Sequence, residues 1–389
     1  MIASDGSVQE FGDGQGRAIT ARIHDSGTAR RILLYPGLEV GEAYMDGRLT
    51  FDTGDISDFL DLGLSNLGWQ VPGPMGRLQY KFATLARRFR QHNPLGIARR
   101  NVAHHYDLSG ELYELFLDSD RQYSCAYYQS PEDGLERAQE QKKRHIAAKL
   151  LVRPGDRVLD IGSGWGGMAL YLARECGADV TGVTLSEQQH AVSERRAAEA
   201  DRQRVRFRLQ DYREETSTYD RIVSVGMLEH VGVNHYGEYF RKIADLLADD
   251  GVALVHTIGR AEGPGATNEW IRRYIFPGGY SPALSELLPA IERAGLYVTD
   301  IEVLRLHYAE TLKAWRQRFL ANRATVAKLY DERFCRMWEF YLAGSEATFR
   351  YSGHVNFQIQ LSKRVDVVPL TRDYIVDWER GRARVPSGA

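Results

Sequence analysis

Titratable side chains directly follow two hydrophobic runs that are typical of buried strands. Glu229 stands beside His230 in "SVGMLEHVG", and His256 follows the run "GVALV". A carboxylate and an imidazole at the end of a sheet are groups that transfer protons or hold a metal ion. They also have structural uses, since Glu229 can favour the N-terminus of the next helix and either histidine can be a satisfied core residue. The histidines lack the HxxxH spacing of a helical metal site, so we predict no metal.

A glycine-rich loop, "VLDIGSGWGG", ends an earlier hydrophobic run and carries Asp160, Gly162, Gly164 and Gly166. Glycines let the backbone turn sharply and approach a ligand at a helix N-terminus, where doubly wound sheets bind nucleotides. A nicotinamide site has GxGxxG and an acid about 20 residues later, whereas this loop has an acid before its first glycine. The D-x-G-x-G-x-G spacing resembles motif I of class I S-adenosylmethionine-dependent methyltransferases, which implies S-adenosylmethionine as the cofactor.

The elements that must position these residues alternate between strand-like and helix-like segments after about residue 145. Stretches of helical composition such as "SEQQHAVSERRAAEA" separate seven short apolar or β-branched runs. In chain order, these runs are "RVLDIG", "DVTGVTLS", "VRFRLQD", "DRIVSVG", "GVALVHTIG", "LYVTDIEVLRL" and "FQIQLSKR". The alternation predicts an α/β fold, a Rossmann-like seven-stranded sheet with helices on both faces. Ligands bind outside the carboxyl ends of such strands, so Glu229 and His256 are expected near the cofactor.

Seven motifs then occur in a recognisable order. They are "QYSCAYY", "VLDIGSGWGG", "GVTLS", "DRIVSVGMLEHVG", "LVHTIG", "YIFPGG" and "HYAETL". Together they resemble the cyclopropane fatty acid synthase family, including mycolic acid cyclopropane synthases, over about residues 100–365. The resemblance implies methyl transfer to a cis double bond of a phospholipid acyl chain, then loss of a proton and closure of a cyclopropane ring. A methyl-branched or methylene product, or methylation of a small molecule, are the alternatives.

The resemblance also implies the residues of the site. Those expected to surround S-adenosylmethionine are Tyr123, Ser124, Gly162, Gly164, Trp165, Thr184, Gln189, Asp211 and Tyr212. Those expected to hold a bicarbonate ion, the base that accepts the proton, are Cys125, Glu229, His256, Ile258 and Tyr308. Cys125 and Ile258 are expected to contribute backbone groups, and Glu229 to accept a hydrogen bond from the bicarbonate. His230 is expected to be structural.

The first part of the chain has a different character. Residues 17–55 contain "AITARIHD", "RILLYPG" and "MDGRLTF" and are expected to be rich in strands, and "DISDFLDLGL" is expected to be a short helix. We predict a small α+β lipid-associated domain over residues 1–75, a basic helical linker over 76–120 and the catalytic domain over 121–389. The N-terminal module is similar to that of the bacterial phospholipid enzymes.

A local basic segment lies between these parts. Residues 62–106 contain no Asp or Glu, and "RLQYKFATLARRFR" places apolar residues on one stripe of a helix beside Arg and Lys. Such a helix either lies on an anionic membrane or packs its stripe against the protein. Because the implied substrate is a lipid, we expect the N-terminal domain and residues 77–100 to contact an anionic bilayer surface.

The composition excludes some classes of function. The chain has 389 residues, a net charge of −2 and 43% hydrophobic residues, which is typical of a soluble globular protein and not of a nucleic-acid binder. It shows no signal-like apolar start, and its three cysteines are far apart without CxxC spacing. We therefore expect a cytoplasmic protein that associates peripherally with the inner membrane, and the family resemblance implies a homodimer.

Overall fold

The structure is a computed structural model that describes residues 1–14, 16–67, 109–200 and 203–381. The predicted basic helix and most of the predicted linker lie outside these residues, and the predicted domain boundaries stay predictions. None of the helices in the described ranges is long and apolar enough to cross a membrane.

The N-terminal part combines a small antiparallel sheet with three helices. The sheet pairs β1 (Thr20–Ile23) with β2 (Leu49–Thr53), and the helices are α1 (Ser26–Leu34), α2 (Pro36–Met45) and α3 (Ile56–Leu67). The two strands and α3 confirm the predictions for "TARI", "LTF" and "DISDFLDLGL". The α+β character of this part is therefore as expected.

The expectation that residues 17–55 are rich in strands is wrong in the middle of this range. "RILLYPG" ends α1 and begins α2. The Asp25 carboxylate caps α1 by accepting from the backbone N–H groups of Gly27 at 3.0 Å and Thr28 at 2.9 Å. Pro36 starts α2, where its missing N–H costs no intrahelical bond. A short apolar run cannot distinguish a strand from a helix, and these two end signals decide the matter.

The main sheet contains all seven predicted strands, which confirms the predicted α/β fold. Its order is β5-β4-β3-β6-β7-β9-β8, in which β9 runs antiparallel to both neighbours and the other pairs are parallel. The strands are β3 (Arg157–Ile161), β4 (Asp179–Thr184), β5 (Val205–Leu209), β6 (Tyr219–Val225), β7 (Leu247–Arg260), β8 (Tyr297–Val303) and β9 (His354–Ser362).

Helices cover both faces of this sheet. In the described ranges they are α4 (Gly110–Phe116), α5 (Leu135–Leu150), α6 (Gly167–Cys176), α7 (Glu187–Ala200), α8 (Tyr236–Leu246), α9 (Glu269–Tyr274), α10 (Leu284–Arg293), α11 (His307–Ala321), α12 (Arg323–Leu329), α13 (Glu332–Tyr351) and α14 (Asp373–Glu379). One face packs against α5 and α6, and the other packs against α8 and α10. Successive strand residues point to opposite faces, so Val158 packs on the first side and Leu159 on the second.

An aromatic layer forms a third core cluster beside the sheet. Phe116 of α4, Trp315 of α11 and Trp338 of α13 are buried together in it, with Tyr123 packed against them. Helix α13 also packs against α2 and α3, which attaches the N-terminal part to the catalytic part. Residues that line the space at the sheet's carboxyl edge, such as Tyr308, belong to this layer.

Candidate active site

The glycine loop turns the chain between β3 and α6. Gly166 has a φ of 85°, in the left-handed region that favours glycine, and a Cβ there would lie 2.7 Å from the Cζ atom of Phe207. Gly167 begins α6 directly afterwards. The first backbone N–H groups of a helix have no partner within it, so this helix end suits a polar or anionic ligand.

A cavity of about 170 Å³ borders this loop, the ends of β4 and β5, and residues 121–124. All nine residues that were predicted to surround the cofactor line it: Tyr123, Ser124, Gly162, Gly164, Trp165, Thr184, Gln189, Asp211 and Tyr212. The structure thus brings the complete predicted set together. The contact that each residue makes with the cofactor stays a prediction.

Two buried residues of opposite charge type line this cofactor cavity. Asp160 is 2% exposed and Lys142 is fully buried. Burial raises the pKa of Asp160 to about 7 and lowers the pKa of Lys142 to about 8. Within the described residues, Asp160 Oδ2 is a buried acceptor without a hydrogen-bond partner. Such an atom fits an ammonium group, and S-adenosylmethionine carries one at its methionine end.

A second cavity adjoins the first. All five residues predicted to hold the anion line it: Cys125, Glu229, His256, Ile258 and Tyr308. The two cavities share Tyr123, Ser124, Gly226 and His230. His230 therefore lies at the junction between the spaces, where burial lowers its pKa to about 4 and keeps the ring neutral near pH 7.

Glu229 is held firmly by one oxygen and presents the other. It lies in the short 3-10 turn after β6, and its Oε1 accepts a hydrogen bond of 2.6 Å from the backbone N–H of Ile258. Its Oε2 is buried and has no partner among the described residues. Burial raises the pKa of Glu229 to about 7. The Ile258 N–H thus donates its hydrogen bond to Glu229 itself. The second carboxyl oxygen can accept a hydrogen bond from a bound group.

His256 on β7 lies between two side-chain amides of the neighbouring strand β9. The Asn356 amide is 3.2 Å from Nε2 and the Gln358 amide is 3.2 Å from Nδ1. Burial lowers the pKa of His256 to about 3, so the imidazole is neutral near pH 7. A neutral ring has one donor and one acceptor, so one amide must accept from it while the other donates to it. The two amides therefore fix the plane of the ring, and burial keeps the ring neutral.

Cys125 lies in the wall of the second cavity, and its thiol is not expected to react. Burial raises the pKa of the thiol well above its usual range, so it is not a thiolate nucleophile. The backbone around it is fixed from two sides. The Ala126 N–H donates to Thr311 Oγ1 at 3.0 Å, and the Gln139 amide donates to the Ser124 carbonyl at 2.9 Å. That Cys125 offers a backbone group to the anion stays a prediction.

Aromatic side chains complete the second cavity. Tyr308 packs edge-on against Trp315 with ring centroids 5.8 Å apart, and Tyr123, Phe276 and Tyr280 also line the space. Ring faces attract positive charge. Within the described ranges there is no group of three or more His, Cys, Asp or Glu residues that could hold a metal ion.

Sequence reasoning missed Lys142, Asn356 and Gln358. The two amides belong to the alternation "NFQIQLS" in β9, in which Asn356, Gln358 and Gln360 are at most 1% exposed. Polar residues at every second position share one face of a strand, and such a face ordinarily lies in water, so the sequence alone does not indicate that this row is buried. Lys142 gave no signal either, because a lysine in a helix is ordinarily exposed.

Comparison with known proteins identifies one family over most of the chain. Residues 96–359 match the family described as mycolic acid cyclopropane synthetase. The chain is 37% identical over 349 residues to the cyclopropane-fatty-acyl-phospholipid synthase of Escherichia coli strain K12, a match that covers 89% of this chain and 88% of that protein. It is 36% identical over 370 residues to tuberculostearic acid methyltransferase UfaA1 of Mycobacterium tuberculosis, with coverages of 92% and 85%.

A solved structure of a mycolic acid cyclopropane synthase has a similar fold. The structure of mycolic acid cyclopropane synthase CmaA1 complexed with SAH and CTAB matches with a TM-score of 0.65 and 32% identity. The match covers 68% of this chain and 97% of that chain.

Proposed function

This chain belongs to the mycolic acid cyclopropane synthetase family, and on that premise we propose that it converts a cis double bond of a phospholipid acyl chain into a cyclopropane ring. The family predicted from the seven motifs, the class I fold and the S-adenosylmethionine-dependent methyltransferase class are confirmed. The lipid substrate, the ring and the base are the proposal.

The observation that carries the proposal is the second cavity. It joins the cofactor cavity through shared residues and gathers Cys125, Glu229, His256, Ile258 and Tyr308 from four separate segments of the chain. Methyl transfer to an amine or oxygen removes a proton from the nucleophile and not from the transferred methyl. A reaction that must afterwards remove a proton from the transferred methyl needs an acceptor beside it.

The aromatic lining suits the charge that this reaction develops. S-adenosylmethionine supplies the methyl group, whose carbon forms a bond with the alkene electrons as its bond to sulfur breaks. This leaves a cation in the acyl chain, and loss of one methyl proton provides the electron pair that closes the ring. Tyr123, Phe276 and Tyr308 can stabilise the cation, at about 0.5–2 kcal/mol per ring, and exclude water that would trap it.

Bicarbonate, when bound, would supply the base. The residues support an oxyanion with one hydroxyl: Glu229 Oε2 can accept a hydrogen bond from it, and Tyr308 lines the same space. The expectation that His256 orients an oxygen is not met, because the Asn356 and Gln358 amides lie 3.2 Å from its two ring nitrogens. The Cys125 backbone offers a further polar group at the same wall. Glu229 would therefore position the ion, and the ion would supply the base.

A second candidate product is a methyl-branched acyl chain. It is favoured by the 36% identity with a relative named tuberculostearic acid methyltransferase. Incubation of the protein with unsaturated phospholipid and S-adenosylmethionine, followed by mass spectrometry of the acyl chains, separates the two. A gain of one CH₂ unit with loss of the double bond supports the synthase. A gain of one CH₂ unit with a retained double bond indicates a methylene product, and a gain of CH₄ without a double bond indicates the methyl-branched chain, which also needs a hydride donor.

The lipid substrate requires the protein to reach a membrane surface. We propose peripheral association at the cytoplasmic face of the inner membrane through the N-terminal domain and the basic residues 77–100. Residues 77–100 lie outside the described residues. Each basic residue near an anionic surface contributes about 1 kcal/mol. Charge reversal at Arg87, Arg88 and Arg90 should therefore lower binding to anionic vesicles, and unchanged binding would contradict it. Reversal at three exposed arginines of the catalytic part is the control: Arg195, Arg206 and Arg293.

A further inference from the structure

Helix α5 carries three buried lysines, and two of them form ion pairs. Lys143 pairs with Asp120, and Lys149 pairs with Glu302. Lys142 has no carboxylate within ion-pair distance among the described residues, and Asp118 and Asp120 act on its charge only from farther away. Burying a cation without such a partner is costly, so a protein that keeps one there gains something else from the charge.

Lys142 instead donates to two neutral oxygens. One is Gln122 Oε1, and the other is Ser124 Oγ at 2.9 Å. An ammonium group only donates hydrogen bonds, so the Ser124 oxygen must be the acceptor. The Ser124 hydroxyl hydrogen is then left for a different acceptor, and Ser124 lines the junction of the two cavities. Lys142 therefore prepares Ser124 as a donor toward a bound acceptor.

Asp160 complements this arrangement from the same cavity. Its Oδ2 has no hydrogen-bond partner in the part of the chain that the structure describes, and Lys142 interacts electrostatically with its carboxylate. A buried carboxylate and a buried ammonium that line one cavity match a ligand with both charges, an α-amino acid. The methionine end of S-adenosylmethionine has this character, with an α-ammonium for Asp160 and an α-carboxylate for Ser124.

We propose that Lys142 is the cation that recognises the α-carboxylate of the cofactor, acting through the Ser124 hydroxyl that it holds. Lys142 is thus a positioning residue for cofactor binding. The inference deepens the cofactor site on which the proposed function rests. It concerns the cofactor alone and does not depend on which lipid is made.

The test compares two cofactors that differ only in the carboxylate. Calorimetry would measure the affinity of the full-length protein for S-adenosylmethionine and for decarboxylated S-adenosylmethionine, without lipid. A charge-assisted hydrogen bond corresponds to about 10- to 100-fold in affinity, so the wild type should prefer the carboxylated form by that ratio. Lys142→Met and Ser124→Ala should each reduce this preference to a few-fold.

The control is Lys149→Met, a buried lysine of the same helix that lines neither cavity. It should keep the wild-type preference. An unchanged preference in Lys142→Met, or an equal loss of affinity for both cofactors, would overturn the proposal. Should Lys142→Met fail to fold, Lys142→Gln, which keeps a donor near Ser124 Oγ without the charge, decides the matter by the same criterion. A protein that passes this test but makes no cyclopropane contradicts the proposed function and leaves this inference intact.

Discussion

Replacing Glu229 with glutamine separates the charge of this residue from its shape. Glutamine keeps the Oε1 atom that accepts from the Ile258 N–H, and it cannot ionise. Burial raises the pKa of Glu229 from 4.5 to about 7, so the folded protein binds this proton more tightly than the unfolded chain does. The stabilisation from the protonated form is complete below about pH 4.5 and is lost as the pH rises through about 7.

The size of the effect follows from the shift. One pKa unit corresponds to about 1.4 kcal/mol, so the wild type should lose about 2–3 kcal/mol of unfolding free energy between about pH 5 and pH 8 through this residue alone. Glu229→Gln should lack this loss and be the more stable protein at the higher pH. The carboxylate is thus kept at a cost to stability, which is expected of a residue with a function in the site.

Urea unfolding across this pH range in bicarbonate-free buffer would measure the difference. The matched control is Glu292→Gln on α10, an exposed carboxylate that should leave the pH dependence unchanged. Equal pH dependence in the wild type and Glu229→Gln would refute the reasoning. Added bicarbonate should stabilise the wild type more than the variant, because a ligand stabilises the state that binds it.

Three further predictions concern the same two cavities. Asp160→Asn should weaken S-adenosylmethionine binding by about 10-fold or more in calorimetry, because the buried oxygen that suits an ammonium loses its charge; wild-type affinity would count against that role. Asn356→Leu removes an amide beside His256, so kcat should fall by about 10-fold while cofactor affinity stays the same, and an unchanged kcat would show that the amide is dispensable. Cys125→Ala should keep turnover within about a few-fold, since the buried thiol is not ionised, and complete loss would indicate thiol chemistry.

Much of the architecture could be predicted from the sequence, because short apolar runs indicate the strands one by one. The apolar runs of β3–β9 specify the sheet, and placing Glu229 and His256 after neighbouring strands already predicts that they share one rim. The individual site residues came from motif resemblance, which orders residues along the chain. The two cavities that gather them are visible only in the fold.

The rest depends on contacts between distant parts of the chain. His256 meets Gln358 only because β7 pairs with β9 in the register that sets these two residues side by side. The bond from Ile258 to Glu229 likewise joins two strand ends. The helical state of "RILLYPG" is hard to predict for a different reason. A short apolar run does not show whether its period is that of a strand or of a helix, and the helix start is marked only by the cap at Asp25.

The central claim is that the transferred methyl loses one of its own protons to close a ring. S-adenosylmethionine with a fully deuterated methyl group tests this most directly, with the wild-type protein, unsaturated phospholipid vesicles and bicarbonate present. The account predicts a saturated acyl chain that gains one carbon bearing two deuterium atoms and that resists cleavage by ozone. A product that keeps all three deuterium atoms, or one that ozone still cleaves, would contradict it.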